Sequence, residues 1–348
     1  MDLGSTPSGR VSAFLRSFGT WVDGTHSARV QELIERLAQR PYDDFAVRDL
    51  AELGPHARHA GGVIVEHLAS EGWDMRITAA LALGLIQYAE ATDALIAQLE
   101  DGPDWRRVHA SARALGLLYA ERAIESLERI AARHWYPPVK EAASQAVRVI
   151  RGEEEYPAGR TNSVFFAHEH AGASLTATSR PFLDLGPDEL PAVFLAQRTY
   201  SAEVFDMGEY PSRVKKRNQR PQCGLRVSDG YLLGASRGEW GGELVHQRDD
   251  ATETHILYTH VVGIHRLGPH IIVATGLAHL GGNTGRLYRV FAQGETFDVE
   301  PWRQLPGAPQ GSGWLADGRL YISCFGGAVL VSPEGDFEMA DSGMLPAK

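Results

Sequence analysis

Histidine is the side chain best able to move protons or hold a metal near neutral pH. Eight of the fourteen histidines fall beyond residue 160: His168, His170, His246, His255, His260, His265, His270 and His279. His168 and His170 flank Glu169, a spacing that puts both imidazoles on one face of a strand, as a metal pair requires. No spacing marks a third or fourth ligand, so no metal or cofactor is expected. His255, His260, His265 and His270 recur every five residues, which alternates strand faces and gathers no cluster on one strand. Glu239 and Glu243 flank Trp240 in RGEWGGEL (237–244), a weak echo of a glycosidase carboxylate pair. Trp240 between glycines reads equally as an exposed anchor for a partner and as a cap on a β core. GGNTG (281–285) lacks the Lys-Ser/Thr of a phosphate loop and reads as a hairpin turn. The chain has no GxSxG elbow, no HExxH and no Walker pattern, and no spacing positions a Ser–His–acid triad. Cys223 and Cys324 are too few for a disulfide framework and read as two buried thiols.

The charged residues suggest binding more than catalysis. The formal net charge is 34 − 44 = −10, which argues against a protein whose main work is gripping nucleic acid. Residues 1–155 carry 17 basic and 23 acidic side chains (−6), and residues 156–348 carry 17 and 21 (−4). Asp43, Asp44, Asp74, Asp101 and Asp104 fall in the connections of the more acidic part. They suit helix N-termini electrostatically, and they also suit an acidic surface for a basic protein partner. Trp73 and Trp105 lie beside two of them. Against this background SRVKKRNQR (212–220) holds five basic residues in nine. It reads as a solvated loop, with Lys215 and Lys216 available to RNA, an anionic lipid or an acidic partner. It has no interleaved aromatics, so single-strand nucleic-acid stacking is unsupported.

Two kinds of element must position these residues. From about residue 25 to 151 nearly every window has helical spacing. VQELIERLAQ (30–39) places Val30, Leu33, Ile34 and Leu37 on one face. Segments of this length are marginal alone. FAVRDLAELG, MRITAALALG and RVHASARALG each end in Leu-Gly, at Gly54, Gly84 and Gly116, spaced 30 and 32 residues apart, and Trp73 and Trp105 each precede their glycine by eleven. A weaker fourth unit runs from Tyr136 to Ile150, with Pro137 and Pro138 able to open its helix. Beyond 160 short β-rich runs follow at near ten-residue spacing, among them AVFLA (192–196), GYLLGAS (230–236), HILYTHVVGIH (255–265), HIIVATGL (270–277) and GRLYISC (318–324). Three units share a strand, a turn at Asp229-Gly230, Gly268-Pro269 or Asp317-Gly318, and a second apolar strand.

The helical half resembles the short HEAT-like repeats first described in phycobilisome lyases, with their small and large apolar residues and closing Leu-Gly. That resemblance implies stacked helix pairs of roughly 30 residues forming an α-solenoid. The second half resembles a β-propeller of four to five small blades, or an incomplete one. The expected fold is therefore α and β in separate domains: an N-terminal segment (1–24), a helical repeat domain (25–152), a linker (153–162) and an all-β propeller-like domain (163–348). The N-terminus lacks the apolar core of a secretory signal and no stretch is long enough to span a membrane, so a cytoplasmic place is expected. The expected function is a non-catalytic protein-binding module, most concretely an inhibitor or immunity-type protein that clasps a basic effector such as a bacterial toxin. Asp43, Asp44, Asp74, Asp104, Trp73, Trp105, Glu239, Trp240, Lys215 and Lys216 are its candidate contacts. The alternative is a lyase or hydrolase with its site in the β domain and the solenoid as substrate clamp.

Overall fold

Short apolar helices that recur every 30 residues can only bury their faces on one another. The computed structural model describes residues 25–70, 73–100, 104–156, 185–186, 188–206, 209–279, 282–294 and 296–340. Among them the N-terminal helices are α1 (Thr25–Gln39), α2 (Asp44–Glu52), α3 (Gly61–Glu66), α4 (Trp73–Leu85), α5 (Thr92–Gln98), α6 (Trp105–Leu117), α7 (Ile124–Arg133) and α8 (Pro137–Arg151). Short 3₁₀ stretches, Gly54–Ala60 and His67–Ala69, flank α3. Helices α2, α4, α6 and α8 stack in that order, and α3, α5 and α7 pack beside them. Leu50, Leu83 and Leu115 are fully buried. Each such side chain contributes roughly 1.5–3 kcal/mol of burial energy.

The Leu-Gly signature does two jobs. Gly54 follows α2 with φ +54°, a left-handed turn that favours glycine. Gly84 and Gly116 lie inside the last turns of α4 and α6, where they allow close approach. A Cβ on Gly84 would stand 2.8 Å from Ala114 Cα, and one on Gly116 would stand 2.3 Å from Tyr156 Oη. Ion pairs repeat the same period on the surface: Arg58–Glu90, Arg76–Asp104, Asp93–Arg122 and Glu100–Arg129. Such pairs contribute about 0–1 kcal/mol each, so they fix register more than they hold the stack.

The chain divides into two compact units, Met1–Glu169 and His170–Lys348. Of the expected linker, residues 153–156 are described. Pro137 opens α8 as its position suggests, and Gly152 closes that helix in the left-handed region.

Among the described residues every strand pair of the second unit is antiparallel. Its strands are β1 (Glu189–Pro191), β2 (Arg198–Asp206), β3 (Glu209–Gln219), β4 (Cys223–Val227), β5 (Gly230–Ser236), β6 (Gly242–Arg248), β7 (Glu253–Leu257), β8 (Val261–Leu267), β9 (His270–His279), β10 (Gly282–Gln293), β11 (Thr296–Gln304), β12 (Pro309–Trp314), β13 (Leu320–Cys324), β14 (Gly327–Val331) and β15 (Phe337–Met339). They form three sheets, β1-β4-β5-β6-β7, β11-β10-β9-β8 and β12-β13-β14-β15, with β2-β3 as a separate hairpin. The three turns read from sequence join β4 to β5, β8 to β9 and β12 to β13. Leu225, Leu232, Leu244, Val261, Ile264 and Val273 pack the first sheet on the second.

The all-β expectation stands as three antiparallel sheets and a hairpin, with no closed propeller among the described residues. Other expectations are corrected. AVFLA is a 3₁₀ turn over Ala192–Phe194, because Pro191 ends the β1 ladder. HILYTHVVGIH is two strands, β7 and β8. Backbone at Thr259 and His260 presses so closely on Gly242 that a Cβ there would lie 2.3 Å from Thr259 O. The basic run 212–220 is mostly strand β3 rather than a loop, with Lys215 opposite Ala202 and Lys216 opposite Ser201. His168 and His170 lie outside the described residues.

The glycine contacts predict substitutions of opposite sign. Alanine in a helix normally gains up to about 1 kcal/mol over glycine. Gly62→Ala meets only Tyr88 Oη at 3.9 Å and is expected to be neutral or stabilising. Gly84→Ala meets backbone and is expected to cost about 1–3 kcal/mol. Urea denaturation midpoints of the two variants check the contrast.

Candidate functional site

Helix N-termini leave N–H groups that want an acceptor, and two of the candidate aspartates serve them. Asp43 caps α2 by accepting from Ala46 N at 3.1 Å and also accepts from Arg36 Nε at 2.6 Å. The Arg36 hydrogen bond leads the causes that hold the Asp43 carboxyl below the usual range. Asp104 caps α6 through Arg107 N at 3.4 Å and meets Arg76 Nη2 at the same distance. Asp44 pairs with Arg48 at 3.3 Å. These three carboxylates are thus engaged within the helical unit. Trp73 and Asp74 open α4, and their side chains, like those of Glu239, Lys215 and Lys216, are outside the described set; Asp101 lies outside it altogether.

Trp105 is corrected from a partner contact to a core residue, being 1% exposed. It meets Tyr136 edge-on at 4.6 Å, with the Arg106 guanidinium 4.7 Å from its ring centre. His134 belongs to the same cluster, stacking on Trp135 and accepting from Tyr136 N through Nδ1 at 3.0 Å.

Between α3 and α5 runs a groove of about 520 Å³. Val65, Leu68, Ala69, Ala94 and Ala97 line it, with Glu66, Glu100 and Arg107 among its polar residues. Arg107 Nη2 and Gln98 Nε2 both donate to Leu68 O, and Gln98 Oε1 accepts from Ser111. That network fixes the wall of the groove one repeat to the next. Ala69, Ala97, Glu66 and Glu100 are exposed.

In the β unit Trp240 is half-buried on a 3₁₀ turn, between the two sequence readings. Glu243 is buried against Arg237 at 3.2 Å, so it is spent in an ion pair. Cys223 and Cys324 are free thiols; burial pushes Cys223 up to about 12. Among the described residues no three His, Cys, Asp or Glu side chains converge as a metal site, and no helix is long and apolar enough to cross a membrane.

The cluster that sequence spacing misses lies where three sheet edges meet. Glu189 is on β1, His265 on β8, and Ser312 and Trp314 on β12, each the edge strand of its sheet. Glu189 Oε1 lies 2.9 Å from His265 Nδ1 and accepts from Trp314 Nε1 at 2.7 Å, while Oε2 accepts from Gly186 N at 3.1 Å. His265 Nε2 lies 2.7 Å from Ser312 Oγ. Burial alone would raise the Glu189 carboxyl, but the bond to His265, its charge, and the Trp314 and Gly186 donors outweigh it and hold the group below its ordinary value. Glu189 is therefore an ionised acceptor. His265 therefore donates Nδ1–H to it, and Nε2 at the other end of the ring faces the Ser312 hydroxyl. Gly263 makes room, since a Cβ there would lie 2.2 Å from Ser312 Oγ. The only local signal in the sequence is Gly311-Ser312-Gly313 inside a strand, where glycine marks close approach.

The His134 environment predicts a pH dependence. Burial lowers its pKa to about 4, so the unfolded chain takes up the proton first as the medium acidifies. Stability that is full above about pH 6.5 falls progressively toward pH 4. His134→Asn keeps an acceptor for Tyr136 N but cannot titrate, and is expected to flatten that limb in denaturation curves taken across the range.

Residues 63–148, from within α3 to within α8, match the HEAT repeats family. No curated protein matches the chain. The N-terminal unit thus carries HEAT repeats joined to a unit of antiparallel sheets, and HEAT repeats suggest a protein-interaction module in general terms.

Proposed function

We propose that the helical unit is a protein-binding module that receives an extended or helical segment of a basic partner in the groove between α3 and α5. The observation that carries this reading is the groove itself: an apolar floor of Val65, Ala69, Ala94 and Ala97 with exposed Glu66 and Glu100 beside it. Small side chains let a partner backbone approach closely. The net charge of −6 over residues 1–155 favours a basic partner and supplies orientation and association rate more than raw affinity. Asp74, at the start of α4, remains a candidate contact on charge alone. The sharper form is an inhibitor or immunity-type protein that holds a basic effector in the cytoplasm. The β unit is read as a small propeller-like assembly, because β4–β7, β8–β11 and β12–β15 repeat one up-and-down antiparallel plan.

Captured from its native host and purified, the partner is expected to lose about tenfold or more in affinity for Ala97→Arg, which fills the groove floor, an effect of about 1.4 kcal/mol. Glu66→Lys is expected to slow association at low salt and to have little effect at high salt. Equal affinity of the wild type and Ala97→Arg in calorimetry would remove the groove from the interface.

A further inference from the structure

We propose that the β unit carries an acyl-transfer site in which Ser312 is the nucleophile, His265 its general base and Glu189 the residue that orients the imidazole, with a carboxylic ester as substrate. This goes beyond the groove in the helical unit and does not depend on it.

Geometry comes first. A nucleophilic serine needs a base within hydrogen-bond reach, and the base needs a third group that fixes its tautomer. The distances of 2.7 Å from Ser312 Oγ to His265 Nε2 and 2.9 Å from His265 Nδ1 to Glu189 Oε1 supply both. Burial sets the hydroxyl-bearing residue apart from the other two. The Glu189 and His265 side chains are each 3% exposed, whereas Ser312 is half-buried. Trp314 Nε1 and Gly186 N hold the carboxylate from two further directions, which keeps it acceptor-only and in place.

The step balances without a cofactor. Ser312 Oγ forms a bond to the acyl carbon as its proton passes to His265 Nε2. The C–O bond of the ester then breaks, and the leaving alcohol takes that proton. Water repeats the sequence on the acyl-serine, with His265 again the base, and releases the carboxylic acid and free serine. Ser312 and His265 are catalytic residues in this scheme. Glu189 and Trp314 are positioning residues.

The test uses the full chain, a fluorophosphonate probe and p-nitrophenyl acetate. Peptide mass mapping is expected to find the phosphonyl adduct on Ser312, and Ser312→Ala to lose both adduct and esterase activity. His265→Gln is expected to slow labelling by about 10²-fold or more. Wild-type labelling is expected to rise with pH through one ionisation that His265→Gln lacks, a readout a purely structural histidine would not move. Ser312→Cys gives a measurement independent of the acyl chemistry: its thiol, beside the imidazole, is expected to react with iodoacetamide faster than Cys223 does. The proposal is overturned if wild-type Ser312 stays unlabelled under conditions that label a known serine esterase, or if Ser312 is labelled equally fast in folded His265→Gln.

Discussion

An ionised carboxylate sealed at the meeting of three sheet edges is the constraint on which the β unit depends. Left unpaired, such a charge costs several kcal/mol. Glu189 avoids that cost only because Trp314, His265 and Gly186 bring donors to it from three stretches of chain. Each edge strand would otherwise present unpaired backbone groups, a standing liability for β proteins. The side-chain bonds among β1, β8 and β12 hold these three edge strands together. The glycines nearby follow from the same constraint. A Cβ at Gly186 would lie 2.2 Å from Trp314 Nε1, and one at Gly263 would strike Ser312. Side chains there would force the donors away from the carboxylate.

The helical unit obeys a more local rule, and this is why it was legible in the sequence. Helix periodicity and a 30-residue repeat are both written within single windows, so Val30, Leu33 and Leu37, the Leu-Gly endings and the Pro137 start all fall where their spacing places them. What spacing leaves out is the use made of each residue. Trp105 recurs with Trp73 as a surface anchor would, yet it closes the core against Tyr136. Nothing in a repeat says which of its large side chains faces inward. In the β unit the turns at 229–230, 268–269 and 317–318 were legible because turn chemistry is local. The break at Tyr258–His260 was not, because it is imposed by close contact with Gly242 from another strand.

The candidate site was illegible for the same reason, carried further. Glu189, His265 and Ser312 are separated by 76 and 47 residues. Their convergence is a property of how three sheets meet, not of any motif. Glu239 and Glu243, by contrast, look paired in sequence, yet Glu243 is taken up by Arg237. Proximity along a chain is a poor guide to function when the sheet order decides which edges face each other.

The same distinction applies to charge. An excess of acid in residues 1–155 invites a picture of a uniformly negative surface. Many of those carboxylates are already compensated: Asp43 and Asp104 by helix N-termini and arginines, Glu90, Asp93 and Glu100 by arginines about one repeat away. The field available to a partner is therefore weaker and more localised than −6 implies. Near the groove it comes from residues such as Glu66, while the apolar floor of Val65, Ala69, Ala94 and Ala97 offers the contact area. Apolar burial scales with area, whereas an exposed charge is screened within about 8–10 Å at physiological salt. A partner held there would owe its residence time to the small apolar residues and its approach to the acids, so mutations of the two kinds should separate dissociation from association.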